Sequence, residues 1–257
     1  MARALIALLL LGLLATPAAA LTPAEMATLA FQQHPGAALD PATALADESG
    51  APVRLASLLA GKPAVLVLDY LHCPNLCGLV LASLADSLAQ IPLAPGRDYK
   101  VLAVSIDPGE GPADAAAARQ QYAARYPQEI AAWHFLTGPA ARDIASRVGF
   151  PYRWDAALEQ FAHPAGIVLL APDGTVSRYL LGVSPAPLDL RLGLTEASAG
   201  RIAAPASHLL LLCFGYDPAT GRYDLEIMRV TRLVGLITAG LLGFLLLRLV
   251  RAERRRK

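Results

Sequence analysis

Two thiols four residues apart, in Cys73-Pro74-Asn75-Leu76-Cys77, are the side chains of this sequence best suited to chemistry. If the turn carrying them is helical, positions i and i+4 share one face, with about 5–6 Å between Cβ atoms. That spacing suits two ligands on one metal ion, or a disulfide after modest adjustment. At a helix N-terminus the backbone dipole favours the thiolate, the form both chemistries need. Only three cysteines occur in 257 residues. An oxidising compartment does not leave such a pair idle, and a purely structural bridge across three residues would close a very short loop.

Two cysteines are too few for structural zinc or an iron–sulfur cluster, which want about four protein ligands. A third donor would complete a low-coordinate site, and thiolate with imidazole suits copper: soft sulfur holds Cu(I) and nitrogen helps hold Cu(II). The histidines are His34, His72, His134, His163 and His208. His34 lies in the loop-rich lead-in and His208 near a C-terminal apolar segment. His134 follows Trp133 at the start of a short strand, where packing explains it, and His72 adjoins Cys73, where neighbouring side chains diverge. His163, in FAHPAG, stands just before a predicted strand and is the candidate third ligand. Cys213, in HLLLLCFGYDP, reads as a buried apolar residue.

The elements that must position these residues alternate between strand and helix. The run AVLVLDYL from Ala64 to Leu71 is short, continuous and apolar, as a strand buried on both faces should be. After the cysteines, Leu76, Val80, Leu84 and Leu88 recur every four residues with polar positions between, as an amphipathic helix requires. VLAVSID (Val101 to Asp107) predicts a second strand, followed by an alanine-rich helix from about Ala113 to Tyr126. HFL (His134 to Leu136) then predicts a short strand and Pro139 to Val148 a helix. This order implies parallel pairing with crossover helices. GIVLLA, the turn residues Pro172-Asp173-Gly174 and TVSRYL then predict an antiparallel hairpin, closed by a helix from Pro187 to about Ala199. The fold expected is α/β: a thioredoxin-like mixed sheet with flanking helices, spanning 53–200 after a lead-in at 21–52 that holds a short helix near Pro23 to Gln33. In that topology the loop entering the first hairpin strand sits beside the cysteine turn, so His163 comes within reach of Cys73 and Cys77.

Composition sets limits on the rest. With 55% hydrophobic and 17% charged residues and a formal charge of +1, the chain is neither disordered nor a surface for nucleic acid. Its positive mean hydropathy, +0.44, suggests membrane segments averaged in with a water-facing domain. Arg3, the apolar run from Ala4 to Leu14 and Ala18-Ala19-Ala20 predict a signal peptide over 1–20. Leu233 to Val250 carries one charge, Arg248, and at about 1.5 Å per residue reaches roughly 27 Å, near the thickness of a bilayer core. The tail RAERRRK at 251–257 then fits the positive-inside rule. The expectation is an exported domain, joined by a membrane-proximal segment at 201–232 to a transmembrane helix at 233–250. The helix would lie in the inner membrane, with the domain on the periplasmic or outer side.

YLHCPNLC, VSIDP and FAHPAGIVLLAPDG, in that order and spacing, resemble the SCO/SenC family of thioredoxin-like copper-handling proteins. The resemblance covers roughly residues 50–200. Gly78 stands where a proline commonly follows the second cysteine, and Asp107-Pro108-Gly109-Glu110 departs from the charged pattern usual after DP. The resemblance implies copper bound by Cys73, Cys77 and His163, with Asp107 close to the site as a second-shell residue. It also implies a partner, cytochrome c oxidase subunit II or a related acceptor, whose dinuclear copper site this protein would help to assemble. A metallochaperone is one function these residues allow. A thiol–disulfide reductase acting on the acceptor's cysteines is another, since Cys73 and Cys77 alone form a redox pair and His163 is then optional. A peroxide-reducing enzyme is disfavoured because no Thr precedes Cys73 at the usual spacing.

Overall fold

The computed structural model describes residues 28–72, 77–130, 132–156 and 158–203, with short pieces at 216–217, 222–223, 233–240, 242–244, 248 and 251. The expected signal peptide at 1–20, residues 73–76 of the expected cysteine turn and Cys213 lie outside the described residues.

The sheet grows from apolar runs. β3 (Ala64–Asp69) is buried at every position, as its unbroken apolar sequence requires when both faces are covered. It pairs in parallel with β4 (Lys100–Ser105), which pairs in parallel with β5 (Trp133–Leu136). On its other side β3 pairs antiparallel with β8 (Gly166–Leu170), and β8 pairs antiparallel with β9 (Val176–Leu181). The five strands stand in the order β5-β4-β3-β8-β9. Alternation divides the core between the two faces: Leu66 and Leu68 of β3 join Leu102, Val104 and Ile144 on one side, and Val65 and Val67 join Val80, Leu84 and Val101 on the other.

The helices are α1 (Leu55–Leu59), α2 (Cys77–Leu88), α3 (Pro112–Arg125), α4 (Pro127–Ile130), α5 (Ala141–Arg147) and α6 (Pro187–Ser198). Pro at the start of α3 and α6 fits the first helical turn, where a backbone N–H has no partner in any case. Two hairpins were not foreseen: β1 (Ala44–Ala46) with β2 (Pro52–Arg54), and β6 (Arg153–Asp155) with β7 (Gln160–Ala162). Tyr216–Asp217 and Arg222–Tyr223 pair as β10 and β11. The segment expected as a loop-rich lead-in contributes Phe31, Leu39 and Leu45 to the core. Residues 31–34 are not helical, because Gln32 donates its N–H to the Gly149 carbonyl (2.8 Å) rather than to a turn of its own.

At the C-terminus 233–240 and 242–244 are helical, with Leu233 61%, Leu236 72% and Phe244 58% exposed. Among the described residues no helix is long and apolar enough to cross a membrane. The expected span at 233–250 lies partly outside them.

Gly149 makes the closest backbone approach. Its φ is +63° and a Cβ there would stand 1.7 Å from the Gln32 carbonyl oxygen. The next residue, Phe150, is the aromatic floor of the site described below. Gly149→Ala combines left-handed strain with a backbone clash. It is expected to cost on the order of 2–3 kcal/mol, read as a fall in Tm of roughly 5–10 °C; an unchanged Tm would show that the lead-in is not held here.

Candidate metal centre

β3 ends one residue after its last apolar side chain, and the cysteine turn begins four residues later. β3 is shorter than the predicted strand because the chain leaves the sheet there. The Asp69 carboxylate accepts the N–H of Tyr70 (2.8 Å), and the N–H groups of Leu71 and His72 turn toward Glu110. Cys77 is the first described residue of α2. Cys73 and the side chain of Cys77 lie outside the described residues. Among the described residues no three His, Cys, Asp or Glu side chains gather as a metal site.

His163 reaches the same end of the sheet by strand register. Leu66 of β3 faces Val168 of β8; continued beyond the strand ends, that antiparallel register sets 163–165 opposite 69–71. The imidazole is nearly buried, with 11% of its side chain exposed. It stacks on Phe150, with ring centroids 5.4 Å apart, and meets the edge of Tyr70 at 6.0 Å. Phe161 of β7 packs edge-on against Tyr70 and Trp154 edge-on against Phe161. The unforeseen β6–β7 hairpin thus forms an aromatic wall beside the site. Nδ1 of His163 lies 3.0 Å from the Pro164 carbonyl oxygen, and Nε2 lies 3.6 Å from Asp69 Oδ1. A carbonyl can only accept, so this contact assigns the proton to Nδ1 and the lone pair to Nε2, the nitrogen on the side of β3.

Asp69 is 3% exposed. Burial pushes its carboxyl up to about 7; the Tyr70 N–H opposes this and the charge of Glu110 adds to it. Burial pushes His163 down from the ordinary imidazole value. Desolvation thus opposes charge on both partners of this 3.6 Å contact. A cation arriving between them would favour the charged carboxylate.

Glu110, also buried, is held by several hydrogen bonds. Oε1 accepts the His72 N–H (2.8 Å) and lies 3.0 Å from His72 Nδ1; Oε2 accepts the Leu71 N–H (2.8 Å) and the Ser105 hydroxyl (2.5 Å). It ties the chain entering the cysteine turn to the loop after β4. His72 turns its other nitrogen toward Asp114, 3.5 Å away. Asp107, expected beside the metal, accepts the Gly109 N–H on Oδ1 (2.7 Å), and its own N–H meets the Ser105 hydroxyl. It shapes the turn that presents Glu110. His134 sits on β5 opposite Leu102, and His34 Nδ1 lies 3.1 Å from the Arg147 carbonyl oxygen; His208 lies outside the described residues.

Asp69 and Glu110 escaped the sequence reading. Asp69 carried a signal, as the single charge in an otherwise apolar strand. Glu110 carried none, because two of its partners are backbone N–H groups far away in sequence.

A five-stranded mixed sheet whose central strand leads into the cysteine segment, with a histidine entering from the antiparallel neighbour, has a thioredoxin-like fold. The chain belongs to the SCO1/SenC family, whose model matches residues 32–187. It is 27% identical over 152 residues to the SCO1 protein homolog of Bacillus subtilis (strain 168), covering 56% of this chain and 74% of that protein. Its fold is similar to that of an Aquifex aeolicus VF5 protein (TM-score 0.57, 23% identity, 68% of this chain and 98% of that one). It is also similar to BsSco, described as a member of the Sco family of cytochrome c oxidase assembly proteins with a disulfide switch (TM-score 0.51, 23% identity, 65% and 97%). A third similar fold is that of Arabidopsis thaliana ScoI with copper bound (TM-score 0.50, 19% identity, 61% and 96%).

Removing the Glu110 carboxylate strands two backbone donors at the mouth of the cysteine turn. Glu110→Ala is expected to lose on the order of 2–3 kcal/mol in urea denaturation and Glu110→Gln about half of that, since the amide retains one acceptor. Losses below about 0.5 kcal/mol in both would show that water replaces the carboxylate at no cost.

Proposed function

We propose that this protein is a copper metallochaperone that binds its cargo through Cys73, Cys77 and His163 and supports assembly of the dinuclear copper site of cytochrome c oxidase subunit II. The observation that carries the proposal is the seating of His163: an imidazole nearly closed off from water, fixed by Phe150 and the Pro164 carbonyl, with Nε2 facing the strand that leads into the cysteine turn. Such a ring costs no reorganisation when it takes up an ion, because its tautomer and orientation are already set. The donor set suits the cargo, since two thiolates retain Cu(I) and imidazole stabilises Cu(II).

Release follows from the same chemistry. Two thiolates and one imidazole leave coordination positions open, so an acceptor's thiolates can enter one at a time as the chaperone's ligands depart. Membership of the SCO1/SenC family and the copper-bound and oxidase-assembly relatives support the reading. The proposed setting is the outer face of the cytoplasmic membrane, with the domain exported by the segment at 1–20 and tethered by 233–250. The bare apolar side chains of Leu233, Leu236, Ile237 and Phe244 support such a tether. Holding donor and acceptor in one membrane plane raises their effective concentration without new contacts.

Copper titration of the full chain in detergent, after reduction, tests the proposal. One ion per chain is expected, with binding abolished in Cys73→Ser and Cys77→Ser. His163→Ala should weaken it by on the order of tenfold or more while the cysteine pair still oxidises and reduces. Unchanged copper affinity in His163→Ala would overturn the three-ligand reading and favour a thiol–disulfide reductase, which needs only the sulfurs.

A further inference from the structure

We propose that Asp69 is a fourth donor of this site, placing Oδ1 on the same ion as His163 Nε2 and making the centre hold Cu(II) more tightly than two sulfurs and an imidazole would. The inference rests on the copper reading above and extends it to a residue that the motifs do not mark.

A carboxylate inside an apolar strand is costly unless something offsets its desolvation. Asp69 closes the strand AVLVLD with 3% of its surface exposed, while its register partner across the parallel pair, Ser105, is also buried. The backbone N–H of Tyr70 occupies one lone pair of Oδ1. Among the described residues the only basic side chain within ion-pair distance of Asp69 is His163. Glu110, a comparably buried acid, meets three donors and the His72 ring; Asp69 is not built into the backbone in that way.

The side of the imidazole that Asp69 faces decides between two roles. A carboxylate that merely orients a metal-binding histidine bonds the ring nitrogen that does not hold the metal. Here that nitrogen is Nδ1, and the Pro164 carbonyl already engages it. Asp69 faces Nε2, the metal-side nitrogen, at 3.6 Å. That separation is long for a hydrogen bond. It fits two donors on one ion, which at ligand distances of about 2.0–2.2 Å would subtend roughly 120°. A hard oxygen donor stabilises Cu(II) and adds little to Cu(I), for which the thiolates are the better ligands. In a chaperone this would let the oxidation state of the cargo govern how firmly it is held.

The test compares Cu(II) and Cu(I) affinities of the full chain in detergent, by competition with chelators, for the wild type, Asp69→Asn and Asp69→Ala, with thermal melts to confirm folding. Asp69→Asn keeps the shape of the side chain and serves if the alanine variant misfolds. In the variants Cu(II) affinity should fall by about tenfold or more and Cu(I) affinity by less than about threefold. The bound-copper potential should then rise by about 60 mV for each tenfold selective loss, and the Cu(II) electron paramagnetic resonance hyperfine splitting should change. Equal losses in both oxidation states would make Asp69 a structural or positioning residue and overturn the inference, as would unchanged affinities with an unchanged spectrum. In either case the wild type would still bind copper and the chaperone reading would stand. A wild-type chain that binds no copper would instead defeat that reading, and this inference with it.

Discussion

β8 runs antiparallel to β3 while β4 and β5 run parallel to it, and this one reversal creates the site. Had β8 entered the sheet in parallel, the residues just before it would lie at the opposite end of β3, about a strand length from the cysteines. Because it enters antiparallel, the loop carrying His163 meets the end of β3 that carries Asp69 and leads to Cys73. Burial of both faces of β3 fixes the register, since a slip of one residue would exchange the Leu66–Leu68 face for the Val65–Val67 face. The ring's position is thus set by hydrophobic packing at some distance from any metal.

Two buried carboxylates divide the electrostatic work at this end of the sheet. Glu110 is saturated with donors and acts as a clasp between the segment before the cysteines and the loop after β4. Asp69 has one backbone donor and a histidine, and burial raises its carboxyl to about 7. The first arrangement is rigid because each partner is satisfied. The second carries fewer donors and faces an imidazole instead.

The alternating strands and helices were legible in the sequence because each central strand is a continuous apolar run and the hairpin turn at Pro172-Asp173-Gly174 has its own backbone chemistry. From that order the mixed sheet followed, and from the sheet the approach of His163 to the end of β3. The β6–β7 hairpin did not follow, because Arg153-Trp154-Asp155 and Gln160-Phe161-Ala162 are too short to show a period and are held by aromatic contacts to Tyr70 and Tyr152. The role of Glu110 was invisible for a different reason: the distant groups it holds at Leu71 and His72 are main-chain N–H groups, which leave no trace in residue identity. Asp107, the acid that resemblance pointed to, accepts the Gly109 N–H, and Asp69, hidden within a strand pattern, lies 3.6 Å from the imidazole.

Copper K-edge X-ray absorption of the reduced, Cu(I)-loaded full chain tests the central claim most directly, because it reports which atoms surround the ion. The account predicts two sulfur scatterers together with the outer-shell pattern of a single imidazole, and loss of that pattern alone when His163 is replaced by alanine. A spectrum of sulfur ligands only, identical in the wild type and the variant, would contradict it.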